Sequence, residues 1–167
     1  MKPINKRSNV EKKRPYIANN GKGNHKGRDG WITPEWLFKL LDNQYKFGLD
    51  CCASEKDRKC KMFENNFEGL RFTNTVAWMN PPFSIAWRMF EHFFKVIDQG
   101  VAIYRCDNFE TALWQKIIFP HASWIMIPNR RISFEGLDGD GARFPSALIG
   151  YHVSKPKLIE GTVLYVR

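Results

Sequence analysis

From Trp31 onward, hydrophobic and polar positions follow two alternating periods. Apolar residues three or four positions apart predict amphipathic helices, and the strongest such pattern covers residues 85–98. Short apolar runs such as residues 76–79 predict buried strands. Thr33 followed by Pro34 predicts a helix start, because Thr caps helices and Pro is tolerated at the first helical position.

The remaining elements continue the alternation. Strands are predicted at residues 47–50, 61–63, 101–105, 124–127, 132–134, 146–152 and 162–166, and helices at residues 54–59 and 111–119. Strands alternating with helices indicate an α/β fold, with a mostly parallel sheet and helices on both faces. The strand-rich end predicts an antiparallel edge, with a Gly-rich loop at residues 135–143. The length suits one domain, which we place at residues 31–167.

Two polar loops directly follow predicted strands, at residues 50–53 and 80–83. In open α/β sheets, ligands bind outside the carboxyl ends of the strands, near the point where the strand order reverses. We therefore expect these two loops to form a single site.

The charge is concentrated before this domain. The chain has a net charge of +9, and residues 1–30 hold nine Lys and Arg residues against Glu11 and Asp29. Such a segment is too polar to order itself alone, so we predict a flexible basic arm over residues 1–30. The arm is either a solvated tail or a segment that lies along DNA phosphates, and we favour DNA.

Particular basic residues are candidates for the DNA contact. In the arm they are Lys12, Lys13 and Arg14, and in the domain they are Arg130 and Arg131. For the domain pair, a solvated turn is an equally reasonable interpretation. Asp107 and Asn108 follow another predicted strand, and we interpret them as a helix cap rather than as part of the site rim.

The composition argues against several other classes of protein. No apolar run approaches the length of a transmembrane helix or of a signal peptide core. The four cysteines contain no CxxC pair, which favours reduced thiols in the cytoplasm. A zinc site of His25, Cys51 and Cys60 matches no usual ligand spacing, so we predict no metal site.

The loop Asn80-Pro81-Pro82-Phe83 carries the most informative chemistry. An exocyclic amine of a nucleobase is a poor nucleophile, because its lone pair is delocalised into the ring. The Asn80 side-chain oxygen and the Pro81 carbonyl can each accept one N–H, which redirects that lone pair. The prolines restrict the backbone and hold both acceptors in place. Phe83 offers a face on which a flipped base can stack. The alternative is an ordinary turn at the end of a strand.

Several ordered blocks resemble the phage-type DNA N6-adenine methyltransferases (the Dam-like family). Residues 31–38 (WITPEWLF) resemble that family's W-x-TP-x-x-LF block, and residues 49–54 (LDCCAS) resemble its LD-x-CA-S element. Residues 78–84 (WMNPPFS) match the catalytic motif, and Arg131 with Phe134 and residues 144–146 (FPS) also fit. The resemblance covers roughly residues 31–151.

This resemblance implies a single-domain, Rossmann-like class I methyltransferase sheet that uses S-adenosyl-L-methionine (AdoMet). It places Thr33 and Pro34 beside the methionine part of the cofactor, and Asp50 in the cofactor pocket. Ala53 is a further candidate, since residues 51–53 stand where methyltransferases usually have a glycine-rich loop. For the ribose hydroxyls we favour Glu64, with Asp57 as the alternative.

Other functions remain open at this point. The same two acceptors suit N4 of cytosine, and the missing glycine loop is compatible with a DNA-binding protein that has lost catalysis. NPP-aromatic loops also serve RNA and glutamine side chains, although the basic arm favours nucleic acid. The sequence contains no sizeable target-recognition domain after Phe83, so specificity is assigned to the arm and to residues 136–143. The oligomeric state is not predicted.

Overall fold

The computed structural model describes residues 29–65, 73–136 and 141–165. The strands are β1 (Trp31–Ile32), β2 (Leu49–Asp50), β3 (Met62–Phe63), β4 (Thr73–Met79), β5 (Ile97–Arg105), β6 (Trp124–Pro128), β7 (Ile132–Gly136), β8 (Gly141–Phe144), β9 (Ser146–Tyr151) and β10 (Gly161–Tyr165). The helices are α1 (Glu35–Tyr45), α2 (Ala86–Val96) and α3 (Phe119–His121), with a 3₁₀ turn at Phe83–Ile85 and a π-helix at Trp114–Ile118. No helix of the described residues is long and apolar enough to cross a membrane.

Seven of these strands form one mixed sheet in the order β10-β6-β9-β5-β4-β2-β3. Strands β3, β2, β4 and β5 pair in parallel. Strand β9 lies antiparallel between β5 and β6, and β10 pairs antiparallel with β6. It follows that β6 runs in the same direction as β5, and that the carboxyl ends of β2, β4, β5 and β6 meet at one edge of the sheet.

The α/β class with a mixed sheet and helices is confirmed, and β10 forms an antiparallel edge as predicted. Antiparallel pairing also extends further into the sheet than expected, through β9. Strand β9 enters the sheet interior because residues 146–151 are apolar on both sides and almost entirely buried. A strand buried on both faces must pair on both of its edges, and β9 satisfies this between β5 and β6.

Alternate side chains divide the core into two layers, one on each face of the sheet. In β4, Ala77 and Met79 pack with α2 and the π-helix, whereas Trp78 packs with α1. In β5, Ala102 and Tyr104 join the first layer, and Ile103 joins the second. This period of two is the strand geometry that the apolar runs predict.

The small sheet β1-β7-β8 was not predicted as a unit. The Gly-rich loop predicted at residues 135–143 is shorter than expected, because β7 and β8 pair antiparallel from Ile132↔Phe144 to Glu135↔Gly141. Trp31 pairs with Gly136, so β1 attaches to the free edge of β7. The sheet packs through Ile132 and Phe134 onto the layer that contains α1. Residues 137–140 lie outside the described residues.

Two predicted helices also differ from the structure. Residues 54–59 form a turn instead, in which the Asp57 carboxylate accepts the Ser54 N–H and hydroxyl. This local side-chain bonding competes with helix formation. The segment predicted at residues 111–119 contains the π-helix Trp114–Ile118. The predicted helix at residues 85–98 is confirmed as α2, although β5 begins already at Ile97.

Candidate active site

The two polar loops meet where the strand order reverses, as predicted. The chain leaves β2 towards β3 on one side and leaves β4 towards β5 on the other. Asp50 stands opposite Trp78 in the parallel β2–β4 pair, and the Cys51 N–H donates to the Trp78 carbonyl at 2.9 Å. The loop that begins at Asp50 and the loop that begins at Asn80 are therefore neighbours at the carboxyl edge.

A cleft lies between these loops and strand β1. Its lining residues are Asp29, Trp31, Ile32, Thr33, Asp50, Cys52, Asp57, Lys59, Trp78, Asn80 and Pro82. Of the predicted site residues, the structure thus brings together Thr33, Asp50, Asn80 and Pro82. Pro34, Ala53 and Glu64 lie nearby in the chain but are not among the lining residues.

The prediction that Thr33 caps α1 is wrong. The Pro34 carbonyl accepts the N–H groups of Leu37 and Phe38 at 3.0 and 3.2 Å, and no side chain caps the helix. Thr33 is 2% exposed, and its hydroxyl is a buried polar atom that has no hydrogen-bond partner among the described residues. A buried polar group without a partner costs about 1–3 kcal/mol, so this hydroxyl fits a site for a polar ligand.

Asp50 is a buried carboxylate that organises its own loop. Oδ2 accepts the Lys59 N–H at 3.0 Å and Oδ1 accepts the Cys52 N–H at 3.4 Å. Burial, with a smaller contribution from nearby Asp57, raises its pKa to about 6 in spite of these two bonds. At neutral pH the cleft therefore contains a carboxylate that is largely ionised although burial disfavours its charge. Such a group is suited to bind a cation or hydroxyl groups of a ligand.

The two candidates for ribose binding occupy different positions. The Glu64 N–H donates to the Asp50 carbonyl, and the Ala53 N–H donates to the Glu64 carbonyl, each at 2.9 Å. These bonds hold the backbones of Asp50, Ala53 and Glu64 together, but the Glu64 side chain is exposed. Asp57 lines the cleft directly, so on position it is the better placed of the two.

Asn80 has a fixed side chain. Its Nδ2 donates to the Trp31 carbonyl at 2.7 Å. A carbonyl can only accept, so this contact identifies which amide atom is the donor. Because the amide group is planar, engaging Nδ2 also fixes the direction of Oδ1, and the side chain lines the cleft. The arrangement presents an oriented acceptor at the carboxyl end of β4.

The rest of the loop is fixed by its backbone. All peptide bonds of the described residues are trans, and Pro82 begins the 3₁₀ turn with φ −54° and ψ 136°. The Ile85 N–H donates to the Pro82 carbonyl at 3.3 Å, and the Ser84 N–H donates to Asp29 Oδ1 at 3.0 Å. Pro81 is buried. The loop is therefore held from both sides.

Phe83 is surrounded by aromatic and cationic groups. Its ring meets Tyr104 and Phe144 in edge-type contacts, with centroids 5.7 and 5.3 Å apart. The Arg105 guanidinium lies over the ring, with Cζ 5.6 Å from the centroid. Arg105 in turn pairs with Asp107 through two hydrogen bonds.

The interpretation of Asp107 and Asn108 as a helix cap is wrong, because the helical segment that follows has no side-chain cap. Arg105 engages the Asp107 carboxylate, and Asn108 Oδ1 accepts the Trp114 Nε1–H.

The predicted DNA-contacting residues are only partly described. Arg130 and Arg131 are exposed at the carboxyl end of β6, on the same edge as the cleft. The Arg130 guanidinium lies 5.1 Å from the Trp36 ring centroid. Arg131 is near enough to Asp107 to contribute to the lowering of that carboxylate's pKa, behind the larger effect of Arg105. Residues 1–28, which include Lys12, Lys13 and Arg14, lie outside the described residues, as does His25 of the zinc alternative.

Sequence reasoning missed three residues that line the cleft. Trp31 contributes only a backbone carbonyl, for which the sequence carries no side-chain signal. Asp29 was counted as part of the charged arm, yet it binds the Ser84 N–H. Lys59 lines the cleft, and its Nζ pairs with Glu35 at 2.9 Å. The only sign of Asp29 in the sequence was its position two residues before the block that begins at Trp31.

Comparison with known proteins places the chain in a family. The family model described as DNA N-6-adenine-methyltransferase (Dam) matches residues 20–143 of the 167. No solved structure matches the chain significantly.

Two phage proteins, each named DNA N-6-adenine-methyltransferase, also match. One, from Haemophilus phage HP1 (strain HP1c1), is 39% identical over 62 residues, which are 34% of this chain and 36% of that protein. The other, from Escherichia phage T1, is 36% identical over 62 residues, which are 34% of this chain and 26% of that protein. The matched segment thus spans only about a third or a quarter of each relative.

The family match covers about three quarters of the chain and contains both loops of the cleft. The resemblance inferred from the sequence blocks is therefore confirmed, and the chain belongs to the DNA N-6-adenine-methyltransferase (Dam) family.

Proposed function

We propose that this protein transfers a methyl group from AdoMet to N6 of adenine in DNA. The observation that carries the proposal is the oriented Asn80 amide, which lines one cleft with the unpartnered Thr33 hydroxyl and the buried Asp50 carboxylate. The site lies where α/β sheets bind ligands. The family and the names of both phage relatives support the same activity. A class I methyltransferase sheet is compatible with the observed strand order.

Thr33, Asp50 and Asp57 are suited to hold the methyl donor. AdoMet supplies an electrophilic methyl group on a sulfonium, together with amine, carboxylate and ribose hydroxyl groups for recognition. The Thr33 hydroxyl offers a hydrogen bond that the described protein does not use. Asp50 and Asp57 offer carboxylate oxygens that accept from hydroxyl or ammonium groups. We assign Pro34, Ala53 and Glu64 to the support of this set through their backbones.

Asn80 and Pro81 are suited to activate the target amine. Asn80 Oδ1 and the Pro81 carbonyl would each accept one N–H of adenine N6, which turns the nitrogen lone pair out of the ring plane. Nδ2 is already bound to Trp31, so Oδ1 needs no reorientation when the base arrives. Pro81 and Pro82 limit the loop to its extended conformation. The amine loses its proton after the methyl has been transferred, so no strong base is required.

Thiol chemistry does not compete with this direct transfer. The pKa of Cys60 is raised to about 12 by burial, and the pKa values of Cys51, Cys52 and Cys106 are also raised, with burial as the largest cause. A thiol acts as a nucleophile only as its thiolate. Transfer to an exocyclic amine needs no such nucleophile, which agrees with the environment of these cysteines.

DNA is the proposed partner, reached through the arm at residues 1–30 and through Arg130 and Arg131. The net charge of +9 favours a polyanion. Both named relatives are phage proteins, which supports action on DNA in the cytoplasm of a bacterial host.

A direct test is methyl transfer from labelled AdoMet to unmethylated DNA, RNA and protein, followed by nucleoside analysis of the product. We expect label in DNA as N6-methyladenine. Label found as N4-methylcytosine would show that the target is N4 of cytosine instead of N6 of adenine. Label in RNA or protein alone would overturn the DNA assignment, and cofactor-independent DNA binding without any transfer would indicate a non-catalytic protein.

Replacing Thr33 with valine should affect folding and cofactor binding in opposite directions. Valine matches threonine in shape, so it removes the unpartnered buried hydroxyl and should leave the cofactor-free protein as stable or more stable. The same change should weaken AdoMet binding by about threefold to tenfold, the equivalent of one hydrogen bond of about 0.5–1.5 kcal/mol. Thermal unfolding and calorimetric titration measure the two effects. Unchanged AdoMet affinity would remove Thr33 from the cofactor site.

Neutralising Lys12, Lys13 and Arg14 with glutamine should weaken DNA binding and its salt dependence. Each phosphate contact contributes about 0.9 to the slope of log K against log salt, so three contacts should lower the slope by about 2.7. The matched control replaces Lys95, Lys155 and Lys157, three exposed lysines at the opposite edge of the sheet. Equal slopes for both triple variants would refute a DNA-binding arm.

A further inference from the structure

Arg105 is positioned over the aromatic face that the proposed reaction needs. Phe83 makes edge-type contacts with Tyr104 and Phe144, and the Arg105 guanidinium lies over its ring. Arg105 ends strand β5, which is adjacent to β4, the strand that leads into the Asn80 loop. Its side chain is two-thirds buried, with 34% relative exposure. A planar cation thus occupies the position next to the catalytic loop.

We propose that Arg105 binds the target base, which enters between its guanidinium and the Phe83 ring. This inference rests on the proposed function and adds to it a second wall of the base pocket. Guanidinium groups are planar and stack on aromatic rings and bases, so a base between Phe83 and Arg105 gains contact on both faces. Asn80 belongs to the same loop as Phe83, so a base held there presents its amine edge to the acceptors.

The spacing shows that the slot is closed in the absence of the base. A flat base between two planar groups needs about 7 Å between them, as two van der Waals contacts of about 3.5 Å each. The Cζ-to-centroid distance is 5.6 Å, so Arg105 must move outward to admit a base. Asp107, the partner of Arg105, lies at the start of the turn at residues 107–110 and is one-third exposed.

The pairing with Asp107 explains why a cation is tolerated here. An amine becomes positively charged as it accepts a methyl group, and an unpaired cation beside it would oppose the reaction. Arg105 Nε donates to Asp107 Oδ1 at 2.7 Å, and Nη2 donates to Oδ2. This bonding holds the pKa of Asp107 below its ordinary value, so the pair stays ionised and neutral overall at the pH of the reaction. Arg105 then acts through its flat surface rather than through its charge.

The test compares Arg105→Ala and Arg105→Lys with the unmodified protein in methyl-transfer assays on DNA. We expect both variants to raise KM for DNA by about tenfold, within the range that alanine substitution gives for the loss of one stacking contact. Lysine keeps the charge but lacks the planar group. The salt dependence of kcat/KM, the AdoMet affinity and the unfolding temperature should remain those of the unmodified protein.

The matched control is Arg58→Ala, which removes another guanidinium that lies over a phenylalanine ring, Phe63 of β3, and pairs with a carboxylate. Arg58 is not among the residues that line the cleft. Its KM for DNA should be unchanged. The proposal is overturned if Arg105→Ala leaves KM unchanged, or if lysine restores KM while alanine lowers the salt slope, the behaviour of a phosphate contact. It is also overturned if AdoMet affinity and unfolding temperature fall with KM, since Arg105 would then only support the fold. Absence of transfer by the unmodified protein would instead refute the proposed function itself.

Discussion

Asn80→Ala is expected to lower kcat for methyl transfer by at least about 100-fold and to leave AdoMet binding near that of the unmodified protein. The side chain supplies an acceptor that is oriented before the base arrives, and loss of one such group in a preorganised site typically costs about 10²–10³ in rate. The substitution also removes the bond to the Trp31 carbonyl, which should lower stability by only about 1 kcal/mol. Single-turnover transfer and calorimetric titration of AdoMet measure the two quantities.

Asn43→Ala provides the matched control, because Asn43 is exposed on α1 outside the cleft. It should transfer methyl groups at the normal rate. If Asn80→Ala were equally active, the loop after β4 would not be the catalytic site. Asn80→Asp keeps an acceptor but loses the donor to Trp31, so we expect activity between those of the alanine variant and the unmodified protein.

Asp50→Asn should weaken AdoMet binding by about tenfold to a hundredfold, the equivalent of about 1.5–3 kcal/mol for hydrogen bonds to a charged group. Asparagine has nearly the same size, but it offers one acceptor oxygen where the carboxylate binds both the Cys52 and the Lys59 N–H groups. Thermal unfolding without cofactor is therefore measured beside the titration. It separates disruption of the loop that Asp50 organises from loss of the direct contact between Asp50 and AdoMet. Normal affinity in Asp50→Asn would exclude Asp50 from the cofactor site.

The raised pKa of Asp50 adds a pH dependence with a defined sign. Burial places the pKa near 6 in the folded protein, above the ordinary value of 3.8. The folded state thus binds this proton more tightly than the unfolded state. The contribution of Asp50 protonation to the free energy of unfolding is therefore greatest below about pH 3.8 and is lost as the pH rises through about 6. The affinity for a ligand that needs the carboxylate changes in the opposite direction: it increases as the pH rises, because the ligand binds the ionised form.

AdoMet affinity should consequently fall by about tenfold between pH 7.5 and pH 5, since each pH unit below the pKa lowers the ionised fraction by up to about tenfold. Asp50→Asn should show no such change over the same range. A pH-independent affinity in the unmodified protein would contradict a direct role for the Asp50 carboxylate.

The sequence patterns predicted the strands best where burial determines which positions are apolar. The runs at residues 76–79, 124–127 and 146–152 are strands in the structure because both sheet faces are covered. The position of β9 was not predictable from these runs. Periodicity shows that a strand is buried, but it does not show which neighbours the strand pairs with.

Predictions failed where local hydrogen bonds replace periodicity. The turn at Ser54 forms because Asp57 satisfies its N–H and hydroxyl, and Thr33 leaves the cap position because the Pro34 carbonyl already begins the helix. For the site, the placement of Asp50 and Asn80 after neighbouring strands was correctly predicted. The Trp31 carbonyl bond to Asn80 and the position of Arg105 over Phe83 depend on tertiary contacts that sequence spacing does not encode.

The most direct test of the central claim is a crystal structure with bound S-adenosylhomocysteine, the product of methyl transfer. We predict that the ligand lies in the cleft between Thr33 and Asp50, with its sulfur facing Asn80 and the Pro81 carbonyl. A ligand bound elsewhere, or a sulfur turned away from Asn80, would contradict the proposed active site.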